Sequence, residues 1–119
     1  MSFKPILNEL LTHVPQSHGA IFLDSEGETV ELLGYGISAD TLKILGAYHG
    51  IYLGQLRRLS SVTDGGEIER FRVVFQKSVV FTVSLRDGYY VMLIADPEVN
   101  EGIAWRHHAR TREQLLAEL

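Results

Sequence analysis

The sequence contains no cysteine. That excludes disulfides, thiolate metal sites and cysteine nucleophiles together, and it fits a reducing compartment. No long apolar stretch occurs either. The longest unbroken run goes only from Tyr89 to Ala95, far short of the roughly 20 residues that span a bilayer. The amino terminus, Met1-Ser2-Phe3-Lys4-Pro5, lacks the basic start and apolar stretch of a signal peptide. A cytoplasmic protein with no membrane insertion is therefore expected. There is no basic excess: the net charge is -4, which argues against a general nucleic-acid binder. Disorder is not indicated, because 45% of the 119 residues are hydrophobic and 22% are charged. One domain over residues 1–119 is expected, large enough to bury a core without a staple.

Catalytic and ligand motifs are scarce. The histidines are His13, His18, His49, His107 and His108, and none has a second histidine three or four residues away. His107-His108 reads as a solvated pair, and His49 as a satisfied histidine at an interface. Asp24, Asp64, Asp87 and Asp96 all fall at turns or caps, where aspartate bonds its own backbone. Gly34-Tyr35-Gly36 has no Gly-Lys-Ser/Thr after it, so there is no phosphate loop. No catalytic residue, cofactor or metal is assigned. A cluster of Arg57 and Arg58 with Arg70 and Arg72 is one possible anionic-ligand patch. Trp105 with Arg106, Arg110 and Arg112 is one possible docking face.

What is present is a regular alternation of elements. Phe3, Ile6, Leu7, Leu10, Leu11 and Val14 recur at helical steps until Pro15. Ala20–Leu23 and Thr29–Tyr35 form strands around a turn at Gly27. Ser38 caps a long helix expected to reach about Leu59, before the turn Asp64-Gly65-Gly66. Strands follow at Ile68–Phe75, Val79–Leu85 and Tyr89–Ala95, the last two joined through Asp87-Gly88. Asp96-Pro97 reads as the cap and first residue of a final helix. The expected fold is α+β, in the order α-β-β-α-β-β-β-α, with a five-stranded antiparallel sheet and helices on both faces. The strands that are apolar on both sides belong in the middle. The mixed strands from Thr29 and from Ile68 belong at the edges.

The second helix carries the most information. Gly46, Gly50 and Gly54 form one stripe, at about 0.8–1.0 kcal/mol each relative to alanine. Two readings account for it: packing on the chain's own sheet, or contact with a second helix across a two-fold axis. Leu42, Leu45, Tyr48, Ile51, Tyr52, Leu53, Leu56 and Leu59 spread apolar character around most of this helix. Such a helix is buried on more than one side, which favours the dimer. Arg70 and Arg72 either protect the edge strand from pairing or border a paired edge.

With this order in view, the sequence resembles the roadblock/dynein light chain family, which has a profilin-like arrangement. The resemblance rests on the Leu7-to-Val14 helix, on Gly19-Ala20-Ile21-Phe22-Leu23-Asp24 with Gly27, on the long helix after Ser38, and on Leu85-Arg86-Asp87-Gly88-Tyr89 leading into Val91-Met92-Leu93-Ile94. The glycine stripe and Tyr89-Tyr90 depart from the family's usual pattern. The resemblance implies a homodimer, or a heterodimer with a similar subunit, in which second helices pack antiparallel and edge strands join. It also implies a non-enzymatic regulatory or scaffolding role toward a small Ras-like GTPase. The expected self-association surface is Gly46, Tyr48, Gly50, Ile51, Leu53 and Gly54, with Arg70 and Arg72 at the edge. A competing reading is a small-molecule sensor domain, profilin-like or PAS-like, with Tyr35, Tyr48 and Tyr52 lining the pocket.

Overall fold

The computed structural model of the chain describes residues 3–119; Met1 and Ser2, part of the amino-terminal stretch read above, lie outside the described residues. Helix α1 spans Lys4–His13 and stops because Val14, which precedes Pro15, is pushed into extended backbone. Strands β1 (Ser17–Leu23) and β2 (Thr29–Gly34) form a hairpin. Its turn is held by Asp24, whose Oδ1 accepts from the backbone N–H groups of Glu26 and Glu28 at 2.9 and 3.0 Å.

Helix α2 spans Ala39–Thr63, with the Ser38 hydroxyl accepting from the Thr41 N–H at 3.1 Å. It runs past the expected end at Leu59. Nothing between Ser60 and Thr63 breaks a helix, and the stop comes only where Asp64 turns left-handed at φ 55. Strands β3 (Arg70–Val74), β4 (Val79–Ser84) and β5 (Tyr90–Ala95) complete the sheet. Asp87 and Gly88 both take positive φ in the β4–β5 turn, the geometry that an Asp-Gly hairpin favours.

All strand pairs are antiparallel, in the order β2-β1-β5-β4-β3. The two mixed strands are the edges, as their alternation implied. Helix α3 spans Glu101–Glu118. Its cap corrects the sequence reading: Asn100 Oδ1 accepts from the Ile103 N–H at 3.0 Å, and Asp96-Pro97 starts a turn closed by the Val99 N–H. The Asp96 carboxylate is otherwise engaged, 2.7 Å from His18 Nε2.

The sheet separates two cores. On one face α1 and α3 cover Phe22, Phe81, Val91 and Leu93 with Leu7, Leu10, Ala104 and Leu115. On the other, α2 brings Leu42 and Leu53 onto Ile21, Leu23, Val80, Tyr90, Met92 and Ile94. Each fully buried side chain of this size contributes about 1.5–3 kcal/mol. Because α2 lies by itself on its side of the sheet, its outer surface is uncovered.

Candidate functional site

The inner face of α2 is made by Leu42, Gly46, His49 and Leu53, all buried against the sheet. This divides the expected self-association residues. A Cβ on Gly46 would lie 2.8 Å from Leu23 Cδ2, and one on Gly50 would lie 3.0 Å from the Tyr90 hydroxyl. That hydroxyl points at the Gly46 carbonyl, 3.4 Å away. Burial pushes it up to about 12, with Arg57 opposing and Asp24 reinforcing the shift, so it stays a donor. Gly46, Gly50 and Leu53 therefore serve the chain's own core, correcting the assignment of the whole stripe to a partner. Gly54 has nothing within 4 Å of where its Cβ would stand.

A contrast between glycines follows. Gly54→Ala should stabilise the isolated chain by about 1 kcal/mol through helix propensity. Gly46→Ala should destabilise it on the order of 1 kcal/mol, because overpacking of about 1–3 kcal/mol outweighs the same gain. Urea unfolding of both variants at high dilution checks the pair of signs.

The outer face of α2 is apolar but exposed: Tyr48 at 62%, Ile51 at 58% and Val62 at 84%, with Ile44, Tyr52 and Leu59 beside them. Ile44, Tyr48, Ile51, Gln55, Leu59 and Val62 succeed one another by three or four positions. That is the spacing of a helix–helix seam. A contiguous exposed apolar strip of this kind marks an interaction surface.

The strip continues onto the β3 edge. His49 is stacked on Phe71 of β3 at 5.2 Å and meets Tyr52 edge-on at 6.1 Å, so helix face and strand join at one buried ring. Beyond them Phe75 is exposed. The two sheet edges differ. β2 is interrupted by a bulge opposite Phe22 and Leu23, and it is tied to α1 by Lys4–Glu31 at 3.7 Å and by the Tyr35 hydroxyl donating to Asn8. Such features blunt an edge. β3 keeps a regular register from Arg70 to Val74. Its two arginines lean away from the open edge onto α3: the Arg70 guanidinium lies 4.8 Å over the Trp105 ring, and Arg72 Nε is 3.3 Å from Glu101 Oε1.

The remaining groups do not converge. Arg57 lies on the α2 side and donates to the Gly88 carbonyl at 3.2 Å, whereas Arg70 and Arg72 are on the α3 side. The possible cluster of these arginines is not formed. Tyr35 lies at the β2 edge and Tyr48 and Tyr52 on α2, and none of them lines the best-formed surface hollows, one of about 610 Å³ between the end of α2 and the β4–β5 turn. His18 has an acid in Asp96, but the neighbouring Ser17 hydroxyl is committed to the Val14 and Leu11 carbonyls.

His107 stacks on His13 at 5.2 Å. His108, expected to be solvated, is 0% exposed, with Nε2 3.1 Å from the Phe81 carbonyl. Since a carbonyl only accepts, Nε2 carries the proton. Among the described residues no group of three or more His, Cys, Asp or Glu side chains is placed to hold a metal ion. No helix among them is long and apolar enough to cross a membrane.

No family model and no curated protein matches the sequence. Solved structures do match the fold. A roadblock/LC7 domain from Streptomyces avermitilis superposes with a TM-score of 0.84 at 17% identity, covering 92% of this chain and 91% of that one. MglB, solved in a tetrameric arrangement, gives a TM-score of 0.87 at 14% identity over 97% of this chain and 85% of its own. MglC from Myxococcus xanthus gives 0.71 at 21% identity over 100% of both chains. Neighbours of this kind across nearly the whole described sheet and its helices show that the chain has the roadblock/LC7 fold.

Proposed function

We propose that residues 1–119 act as one non-enzymatic roadblock-like unit, a homodimer in the cytoplasm that regulates or scaffolds a small Ras-like GTPase. The observation that carries the dimer is the uncovered seam of α2 running through Tyr52 and His49 into the unblunted β3 edge. Two copies related by a two-fold axis bury both features at once, helix on helix and strand on strand. The tetrameric arrangement described for MglB supports a self-associating reading. The GTPase part rests on the family resemblance and on the fold shared with MglB and MglC. Absence of a converging nucleophile, base and acid among the described residues supports a binding role.

The test is an affinity capture from the native lysate, run once with GDP and once with a non-hydrolysable GTP analogue. A Ras-like GTPase recovered mainly in one nucleotide state is the expected outcome and gives the direction of regulation. A stable dimer that recovers no GTPase in either state would remove that part of the proposal.

A further inference from the structure

Arg70, Arg72 and Val74 share the α3 side of β3, with Phe71 and Val73 on the α2 side. In a two-fold joint, residue i of one strand faces residue j of the other, and j faces i. For an axis centred anywhere from residue 70 to residue 73, an arginine of one copy falls opposite or diagonal to an arginine of the other. Residues directly opposite have Cβ atoms about 4.5–5.5 Å apart, and like charges there are destabilising. An edge built this way repels its own copy unless each charge is offset locally.

Both arginines are held from within the same chain, and one of them, Arg72, meets a counter-charge. Glu101, at the first position of α3, reaches Arg72 at 3.3 Å. One turn later Trp105 lies flat under Arg70, an attraction between a cation and an aromatic face. The Arg72–Glu101 pair is half-exposed on both sides, so it adds little to the stability of the single chain. Arg72 nevertheless belongs to the open edge strand, so how its charge is offset matters to whatever pairs with that strand.

We propose that Glu101 is a specificity determinant of the β3 edge: by neutralising Arg72 it lets the edge accept a second copy of this chain. The inference rests on the homodimer reading of the preceding section. Trp105 draws Arg70 toward α3 without cancelling its charge. Without Glu101 the edge is a bare basic strip that disfavours its own copy and favours a strand bearing acids.

The experiment measures the dimer dissociation constant by sedimentation for the wild-type chain, Glu101→Gln, Arg72→Gln and the double variant, each at low and at high salt, with far-UV circular dichroism to confirm folding. Glu101→Gln should weaken the dimer roughly three- to thirtyfold at low salt, since the repulsion enters twice through the symmetry. Molar salt, which shortens the screening length to about 3 Å, should restore most of that loss. The double variant should bind like the wild type, because the charge Glu101 offsets is then gone. Glu101→Gln leaving a wild-type dimer unchanged at low salt, or the double variant binding no better than Glu101→Gln, overturns the role of Glu101 alone. A wild-type chain that stays monomeric at every salt concentration overturns the homodimer itself, and this proposal with it.

Discussion

Lowering the pH from 7 to 4 should unfold the domain, with most of the loss of stability falling between about pH 6.5 and pH 4. Two histidines on opposite faces of the sheet set this window. His49, 5% exposed, is wedged between α2 and β3, with Nε2 2.5 Å from the Thr82 hydroxyl oxygen. His108 is enclosed between α3 and the sheet. Burial pushes His49 from 6.5 down to about 4. Burial also pushes His108 down to about 4, against the opposing effect of the Phe81 and Val91 carbonyls.

The direction follows from proton binding. Between pH 4 and 6.5 the unfolded chain takes up protons that the folded chain refuses, so the unfolded state binds more of them. Stability is then complete above 6.5 and falls as the pH drops through the window. At 1.36 kcal/mol per unit, each histidine removes on the order of 3 kcal/mol by pH 4. Two of them approach the whole stability of a small domain, about 5–15 kcal/mol.

Urea unfolding between pH 7.5 and 4.5 should show a falling midpoint. His49→Gln, which can still hydrogen-bond Thr82, should cut the slope of stability against pH by about half. A midpoint that stays flat down to pH 4.5 would mean that both rings are protonated in the folded state.

Neither histidine showed this role in the sequence. His108 sits next to His107, and a helix step of 100° sends one toward the core and the other toward α1; the pattern does not say which. The element order was legible because period-two and helical spacings are local, and the edges were legible because β2 and β3 alternate while β1, β4 and β5 do not. What escaped was long-range. Asp96 reads as a cap next to Pro97, but its carboxylate is drawn to His18, 78 positions away, and Asn100 takes the cap. The glycine stripe and Tyr89-Tyr90 looked like two unrelated departures from the family pattern. They are one feature, because Gly50 leaves the space that the Tyr90 hydroxyl occupies on its way to the Gly46 carbonyl. The side of the sheet that Arg70 and Arg72 take was legible only as an alternation, and their partners on α3 not at all.

Ile51→Asp should convert the proposed dimer into a folded monomer, and this is the largest expected effect of any single change on the outer face. Ile51 is 58% exposed in the isolated chain, so replacing it there costs little, within about 0.5 kcal/mol. At the middle of a seam from Ile44 to Val62 the same side chain is central to the proposed contact, where truncation at a hot spot costs about 2 kcal/mol or more. A two-fold axis counts the substitution twice and brings two carboxylates near each other in a surface emptied of water. The dissociation constant should rise by about a thousandfold, at 1.4 kcal/mol per factor of ten.

Arg106→Ala, on the exposed side of α3, serves as the control and should leave the dimer intact. Sedimentation of the three proteins at tens of micromolar decides the matter. If Ile51→Asp stayed dimeric with wild-type affinity, the α2 seam would not be the contact, and the strip would have to serve another partner. If it is a folded monomer that also fails to capture a GTPase in either nucleotide state, partner binding depends on the paired surface. Capture that survives in the monomer would place the partner on α1, α3 or the hairpin turns, leaving α2 and β3 to assembly alone.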